Sequence, residues 1–407
     1  MEYQFVEGGV TAPGGFKAGG VHCGIRRNIA KADLAMIVSS VPCAAAAVYT
    51  RNLVKGAPIL VTKENLKDGR AQAVVCNSGN ANTCNADGVE KAKKMCVLAA
   101  EALGLSPQDV VVASTGVIGQ ALPIGPIENA MPALAAALSA NGSEDAAKAI
   151  MTTDTVVKNF AVECALGGKS VKIGGIAKGS GMIHPNMGTM LCFLTTDAAI
   201  SPKALDAALR AAVDVSFNMV SIDGDTSTND TCAILANGLA GNPEIAEPEG
   251  GDFETFQRAL TQLCVKIART LAKDGEGASK LVTCVVTGAK DETNAKIAAK
   301  GVIHSALFKA AMFGADANWG RVLCAVGYSG AETDVTKINV SFSSKAGYVV
   351  VCENGSGVPF SEERAKRVLS EDEVTVDVGL GDGDACATAF GCDLTYDYVR
   401  INGDYRS

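Results

Sequence analysis

Apolar and polar positions along this chain follow two different periods, and the two interleave from end to end. AQAVVCNSGNAN (71–82) is a continuous apolar run that breaks into Asn and Gly, the pattern of a buried strand entering a polar turn. DVVVASTGVIG (109–119) is a strand that ends in a loop of small residues, and VTVDVGL (374–380) alternates as a half-buried strand does. VEKAKKMCVLAAEALG (89–104) places Val89, Met95, Cys96, Ala99 and Leu103 near helical spacing, with Gly104 as its stop. SPKALDAALRAAVDVSFN (201–218) opens with Ser201 as N-cap and Pro202 in the first helical position. FETFQRALTQLCVKIARTLAKDG (253–275) puts Phe253, Phe256, Leu260, Leu263, Ile267 and Leu271 on one face of a long helix.

This interleaving predicts an α/β chain, α+β in its layering. No fixed-period repeat or low-complexity tract interrupts it. A domain break is expected near 280, giving a larger part over 1–280 and a smaller one over 281–407. GNPEIAEPEGGD (241–252), rich in Pro, Gly and acid, reads as a linker or equally as a surface loop within one domain.

Composition narrows the partners. Of 407 residues, 48% are apolar and only 20% charged, enough for a sizeable core. The formal net charge of −8 and the lack of any long Lys/Arg run argue against nucleic acid and anionic membranes. No window approaches ~20 consecutive apolar residues. MEYQFVEGG, at the start, has neither the basic nor the apolar stretch of a signal peptide. No membrane segment and no signal peptide are expected. The 14 cysteines include no C-x-x-C pair, and three histidines give no zinc-finger spacing, so no metal site is expected. Most cysteines sit in apolar runs, such as Cys284 in LVTCVV and Cys352 in YVVVCENG. They read as reduced, buried thiols of a cytoplasmic protein.

The 44 glycines invite a phosphate-loop reading that the spacing does not support. GGKS (167–170) ends like a Walker A loop, but the required upstream glycine position holds Glu163, and the flanking FAVECAL and VKIGGI are strands. A hairpin turn accounts for it better. GLGDG (379–383) follows a strand, lacks the G-x-G-x-x-G spacing, and no long helix follows. No cofactor is expected.

Chemistry concentrates in GGIAKGSGMIHPNMGTMLCFLTTDA (174–198). Thr189 follows Gly188 in a small, polar connection and begins an apolar run. The ordinary reading of such a threonine is a strand start. Its hydroxyl can also attack the preceding carbonyl in an N→O acyl shift. Hydrolysis of that ester would leave Thr189 as a new N-terminus. Its α-amine, with a reference pKa of about 7.7–8.0, would then serve as base for its own hydroxyl. With three histidines and no G-x-S-x-G, a Ser–His–Asp triad has little support. An acyl-transfer site needs an oxyanion hole, and STGVIG (114–119) offers the Thr115 hydroxyl and the Gly116 N–H.

These stretches together resemble the ArgJ family, the ornithine acetyltransferases of arginine biosynthesis. The resemblance spans almost the whole chain. It is carried by GGVTAPGGFKAGG (8–20), CNSGNANTC (76–84), STGVIG (114–119), MTTDTVVK (151–158) and AKGSGMIHPNMGTML (177–191). SFNMVSIDGDTSTNDT (216–231), KDGEGASK (273–280), FGADANWGR (313–321) and CDLTYDYVRINGDYRS (392–407) extend it.

The resemblance implies a self-processing Thr-nucleophile fold of the ArgJ/DmpA type, Ntn-like in strategy. The chain would cut itself between Gly188 and Thr189 into an α chain of 1–188 and a β chain of 189–407, assembled as α2β2. Thr189 would take acetyl from N-acetyl-L-ornithine and hand it to L-glutamate, with acetyl-CoA left open as a further donor. By the same resemblance Thr115 and Gly116 form the oxyanion hole, and Thr152, Lys178, Thr189, Glu276, Asn402 and Ser407 bind substrate. The charges suit those roles: Lys178 for an α-carboxylate, Glu276 for an ammonium group, Asn402 and Ser407 for neutral hydrogen bonds from the tail. The sequence departs from the family pattern at Gly188, where Ala is common, at His184, where a small residue is usual, and at Ser407, in place of Thr. His184 is a further candidate for a local base. Two competing readings are a self-cleaving aminopeptidase of related fold, with water as acceptor, and a non-catalytic amino-acid-binding protein.

Overall fold

The computed structural model describes residues 3–26, 28–184 and 190–404. They fall into two compact units. The first gathers the described residues of Met1–Gly179, Asn186–Phe217 and Thr226–Ile267. The second gathers those of Ser180–Pro185, Asn218–Asp225 and Ala268–Ser407. Along the chain the last change of unit falls inside the helix Gly251–Lys273, between Ile267 and Ala268, against the border expected near 280.

The first unit is built on one mixed sheet. Its strand order is Tyr3–Val6, Lys158–Leu166, Lys169–Lys178, Leu191–Thr196, Thr231–Ala236, Leu34–Tyr49, Arg70–Asn77 and Val110–Ser114, with Phe16–Val21 also paired to Leu34–Tyr49. Leu191–Thr196 runs parallel to Thr231–Ala236, and Arg70–Asn77 parallel to Val110–Ser114. Side chains on successive residues enter two different cores. Val74, Cys76, Val111 and Ala113 pack with Ile37, Phe193 and Ala146–Ile150 on one face. Ala73, Val75, Val110 and Val112 pack with Met36, Met95, Cys96, Ala99, Ile127 and Leu134 on the other. Burial of both faces explains why these strands read as unbroken apolar runs instead of alternating.

The helices follow the expected stripes. Gly88–Leu103 ends on Gly104, which takes the left-handed conformation at φ 69°. Val89 lies in line with Ala92 and Cys96 but is exposed, at the N-terminal end of the helix. Pro202–Asp214 is capped by the Ser201 hydroxyl, which accepts the Ala204 N–H at 3.2 Å. This helix stops short of 218, where the chain tightens into a short 3-10 turn at Phe217–Met219. In the helix Gly251–Lys273 all six residues of the predicted stripe are buried.

GGKS is a two-residue hairpin: Leu166 pairs with Lys169, and Gly167 and Gly168 have φ of 53° and 76°. The stretch 241–250 lies within the first unit as a surface loop, tied back by a bridge from Ile245 to Ile200, and Gly251 and Asp252 already open the helix Gly251–Lys273.

The second unit has its own sheet, ordered Ser356–Gly357, Gly347–Glu353, Asn339–Ser344, Glu373–Gly379, Leu281–Ala289, Ala385–Cys392 and Val220–Ser221. GLGDG leads from Glu373–Gly379 into the strand Ala385–Cys392, with no helix between. Helices Glu292–His304, Trp319–Tyr328 and Glu362–Leu369 bury Ala298, Val302, Val322, Val326, Val368 and Leu369 in a core shared with Val286, Phe342 and Val376. Ten of the fourteen cysteines are buried and all are free thiols; Cys23 is half-buried, and Cys84, Cys324 and Cys386 are exposed. Among the described residues no helix is long and apolar enough to cross a membrane.

Candidate active site

The candidate residues fall into two groups, one in each unit. Gly188, Thr189 and Ser407 lie outside the described residues.

In the first unit the predicted oxyanion loop follows the strand Val110–Ser114. The Thr115 N–H is held by the Asn77 carbonyl at 3.0 Å. The Thr115 hydroxyl is half-buried, 3.5 Å from Lys178 Nζ. A hydroxyl that accepts from an ammonium keeps its own proton free to donate. Gly116 sits at φ 127°, and a Cβ there would come within 2.7 Å of the Gly79 backbone, so only glycine fits. Its N–H donates to no described residue.

Asparagines of the CNSGNANTC motif hold this loop from behind. Asn77 Nδ2 donates to Ser114 Oγ at 2.7 Å, and Asn77 Oδ1 accepts the Gly79 and Asn80 N–H groups at 3.2 and 3.0 Å. Asn229 Nδ2 donates to the carbonyls of Ala81 and Ser114, and its Oδ1 accepts the hydroxyls of Thr83 and Thr228. Buried, hydrogen-bonded side chains of this kind make the loop a rigid platform for its donors.

Lys178 ends the strand Lys169–Lys178 and is buried. Its neighbours form a charged cluster centred on Asp154, which sequence reasoning passed over. Asp154 Oδ1 accepts from Lys158 Nζ at 2.7 Å and from the Gly179 N–H at 2.6 Å, and Oδ2 accepts the Thr152 N–H at 3.0 Å. Thr152, Lys158 and Gly179 are thus tied to one carboxylate, and Lys178, bonded to Thr115, acts on that carboxylate through its charge. Burial alone would raise the Asp154 carboxyl. The charges of Lys178 and Lys158 and the Gly179 N–H outweigh it and push it down to about 2. Burial lowers the Lys178 ammonium from its ordinary value, with Asp154 and Asp230 acting against that.

Asp230 is the second residue the sequence did not single out. It is 2% exposed, its Oδ2 has no hydrogen-bond partner, and burial holds its carboxyl well above the usual range. Lys158 and Lys178 both act on the one Asp154 carboxylate, a basic setting that suits a carboxylate-bearing ligand.

In the second unit, Glu276 and Asn402 come together. Asn402 Nδ2, on the helix Tyr396–Gly403, donates to Glu276 Oε2 at 2.7 Å. Glu276 is buried, and its N–H is held by the Ser180 carbonyl at 2.8 Å. Its carboxylate lies against Gly181, where a Cβ would come within 2.3 Å of Oε2. His184 shares a hydrogen bond between Nδ1 and Ser221 Oγ at 3.0 Å and stacks on His304 with ring centroids 4.7 Å apart. Burial, then the charges of Lys300 and His304, push its imidazole down to about 4, which makes it a weak base. Among the described residues no group of three or more His, Cys, Asp or Glu side chains could hold a metal ion.

Comparison with known proteins bears on these arrangements. The ArgJ family model matches residues 17–407. The Arginine biosynthesis bifunctional protein ArgJ of Symbiobacterium thermophilum is 52% identical over 406 residues, covering 99% of this chain and 100% of the relative. The protein of the same name from Caldanaerobacter subterraneus is 48% identical over 405 residues, covering 99% and 100%. A crystal structure of Arginine biosynthesis bifunctional protein argJ from Bacillus halodurans is 43% identical, with a TM-score of 0.49, covering 52% of this chain and 97% of that one.

Proposed function

The chain belongs to the ArgJ family, and from that we propose that it is a self-processing acetyltransferase of arginine biosynthesis, acting in the cytoplasm. Its donor is N-acetyl-L-ornithine and its acceptor L-glutamate. The observation that carries the reading is the loop of the first unit, where the Gly116 N–H, which donates to no described residue, and the Thr115 hydroxyl stand beside a buried lysine.

Self-cleavage comes first. The Thr189 hydroxyl attacks the Gly188 carbonyl, the C–N bond breaks, and the acyl group moves to oxygen. Water hydrolyses the ester, giving a Gly188 carboxylate and a Thr189 amine. The products are chains of 1–188 and 189–407, paired as α2β2. The amine then takes the proton of its own hydroxyl as the hydroxyl attacks the acetyl carbonyl of N-acetylornithine. Ornithine leaves with that proton, and acetyl-Thr189 remains. The amine of glutamate attacks the ester and regenerates the threonine.

Each tetrahedral oxyanion is met by the Thr115 hydroxyl and the Gly116 N–H. Lys178 holds the substrate α-carboxylate with Thr152 beside it, and Glu276 takes an ammonium group with Asn402 and Ser407. No cofactor takes part. Acetyl-CoA is included as a second acetyl donor, and the word bifunctional in the relatives' names supports looking for it.

Intact mass under denaturing conditions, before and after N-acetylornithine, tests this directly. Two chains cut at Gly188–Thr189, with one acetyl group added to the 189–407 chain, are expected. A whole chain that takes up no acetyl overturns the proposal in favour of a binding protein. Hydrolysis of small peptide amides without glutamate would favour the aminopeptidase reading.

A further inference from the structure

The stretch of chain that approaches the proposed cut is held in the second unit by hydrogen bonds at successive residues. Ser180 Oγ donates to the Asp274 carbonyl at 2.6 Å, and the Ser180 carbonyl accepts the Glu276 N–H at 2.8 Å. The next residues are fixed by one carboxylate. Asp223 accepts the N–H of Met182 on Oδ2 and that of Ile183 on Oδ1, the latter at 2.9 Å. The Ile183 carbonyl in turn accepts the Ile222 N–H at 2.7 Å. Met182 has φ 55°, in the left-handed region that a side chain of this kind rarely adopts. That conformation turns two successive N–H groups to the same side, where a single anion can take both. Met182 itself is exposed, so packing does not hold it there.

Asp223 has another client. Tyr398, on the helix Tyr396–Gly403, donates its hydroxyl to Asp223 Oδ2 at 3.3 Å. Asn402 of the same helix donates to Glu276. The C-terminal helix and the approach to the cut are therefore fastened to the same two residues: to Asp223 through its carboxylate on both sides, and to Glu276 through its carboxylate on one side and its backbone N–H on the other.

We propose that Asp223 is a positioning residue for self-cleavage: it holds the Met182–Ile183 backbone in its left-handed bend and so aims the chain that reaches Gly188 five residues later. The inference rests on the self-cleavage proposed above. Asp223 touches no reacting atom in this account and acts through the backbone it grips. The grip on the Met182–Ile183 backbone bears on the cutting step, because acetyl transfer takes place after the peptide bond has gone; the hydrogen bond from Tyr398 is a second, separate contact of the same carboxylate.

The test is a time course of chain cutting after cell-free synthesis, read by intact mass, with turnover per cut molecule measured on the same protein. Asp223→Ala is expected to slow cutting at least tenfold while turnover per cut molecule stays within threefold of wild type. Asp223→Asn keeps the size and one acceptor oxygen and is expected to fall between; it carries the test if the alanine variant does not fold. Met182→Gly in the Asp223→Ala background removes the steric objection to positive φ and is expected to recover part of the lost rate. Cutting of Asp223→Ala at the wild-type rate overturns the inference. So does a parallel loss of cutting, turnover and melting temperature that Met182→Gly does not relieve, since that marks a general structural role. A wild-type chain that stays whole removes self-cleavage itself, and the failure is then of the proposed function.

Discussion

Lys178 and Leu191 are register partners on neighbouring antiparallel strands. The chain leaves the sheet at one and re-enters it at the other, and the proposed cut lies in the connection between them. The ladder continues from Ile173 to Lys178 against Leu191 to Thr196, while Leu191–Thr196 pairs on its far side with Thr231–Ala236. Cutting the connection leaves every one of these hydrogen bonds in place. The two chains are expected to elute as a single species from native size-exclusion chromatography and to separate only in denaturant. Separation under native conditions would mean that the ladder does not hold the cut protein together.

The oxyanion loop gives a graded prediction. Thr115→Ala removes one donor and is expected to lower kcat/KM on the order of 10²–10³-fold. Thr115→Ser keeps the hydroxyl and is expected to recover most of it. Gly116→Ala forces a side chain into backbone at positive φ and displaces the donor itself, so it should fall below Thr115→Ala. Steady-state rates with N-acetylornithine and glutamate check the order. Equal rates for Thr115→Ala and wild type would remove the hydroxyl from the mechanism.

Lys178 is expected to read the substrate carboxylate. Lys178→Met should lower kcat/KM for N-acetylornithine roughly 10- to 100-fold, the range of a charged hydrogen bond. The same change should do far less with the α-carboxamide analogue. A variant that loses both substrates equally would assign Lys178 to the fold alone.

Two buried aspartates of the first unit should respond to pH in opposite senses. Asp154 has its carboxyl pushed down to about 2. Its contribution, on the order of 2 kcal/mol, is present above the ordinary carboxylate range and is lost as pH falls toward 2. Asp154→Ala also removes the carboxylate that the buried Lys158 binds, at a cost of about 3–5 kcal/mol. Asp230 has its carboxyl raised, so its effect on stability runs the other way: favourable at low pH and lost as pH rises through the raised value. Asp230→Asn is expected to be tolerated and to flatten the alkaline side of the profile. Melting temperatures from about pH 3 to pH 9 check both, and a sharper alkaline fall in Asp230→Asn would show that Asp230 is charged in the folded protein.

Much of the fold was legible because its strands are buried on both faces and its helices carry single apolar stripes. Runs such as AQAVVCN and DVVVAS have few alternatives. The positions that shape the site were harder to read. Thr115, Gly116 and Lys178 stood out by chemistry and motif. Asp154, Asp223 and Asp230 lie inside quoted motifs, yet nothing in their spacing tells a buried, hydrogen-bonded carboxylate from a solvated one. Asp154 could have been suspected from Lys158 four residues on, although no helix joins them. The asparagines of CNSGNANTC read as turn residues; their side chains turn out to brace the loop beside them, a tertiary role that no local pattern encodes. Asn229 does the same from 146 residues away from Thr83.

The strand order of the first unit has a consequence for how such a protein can be made at all. Leu191–Thr196 and Thr231–Ala236 are interior strands, flanked by Lys169–Lys178 on one side and Leu34–Tyr49 on the other. If residues beyond 189 came from a separate gene, they would have to thread into the middle of a sheet with no edge open to receive them. Translation as one polypeptide guarantees a partner for every copy, in one-to-one ratio and without search. It also makes the pairing permanent: two cut molecules differing by an isotope label should not trade chains on mixing, however long they are left together.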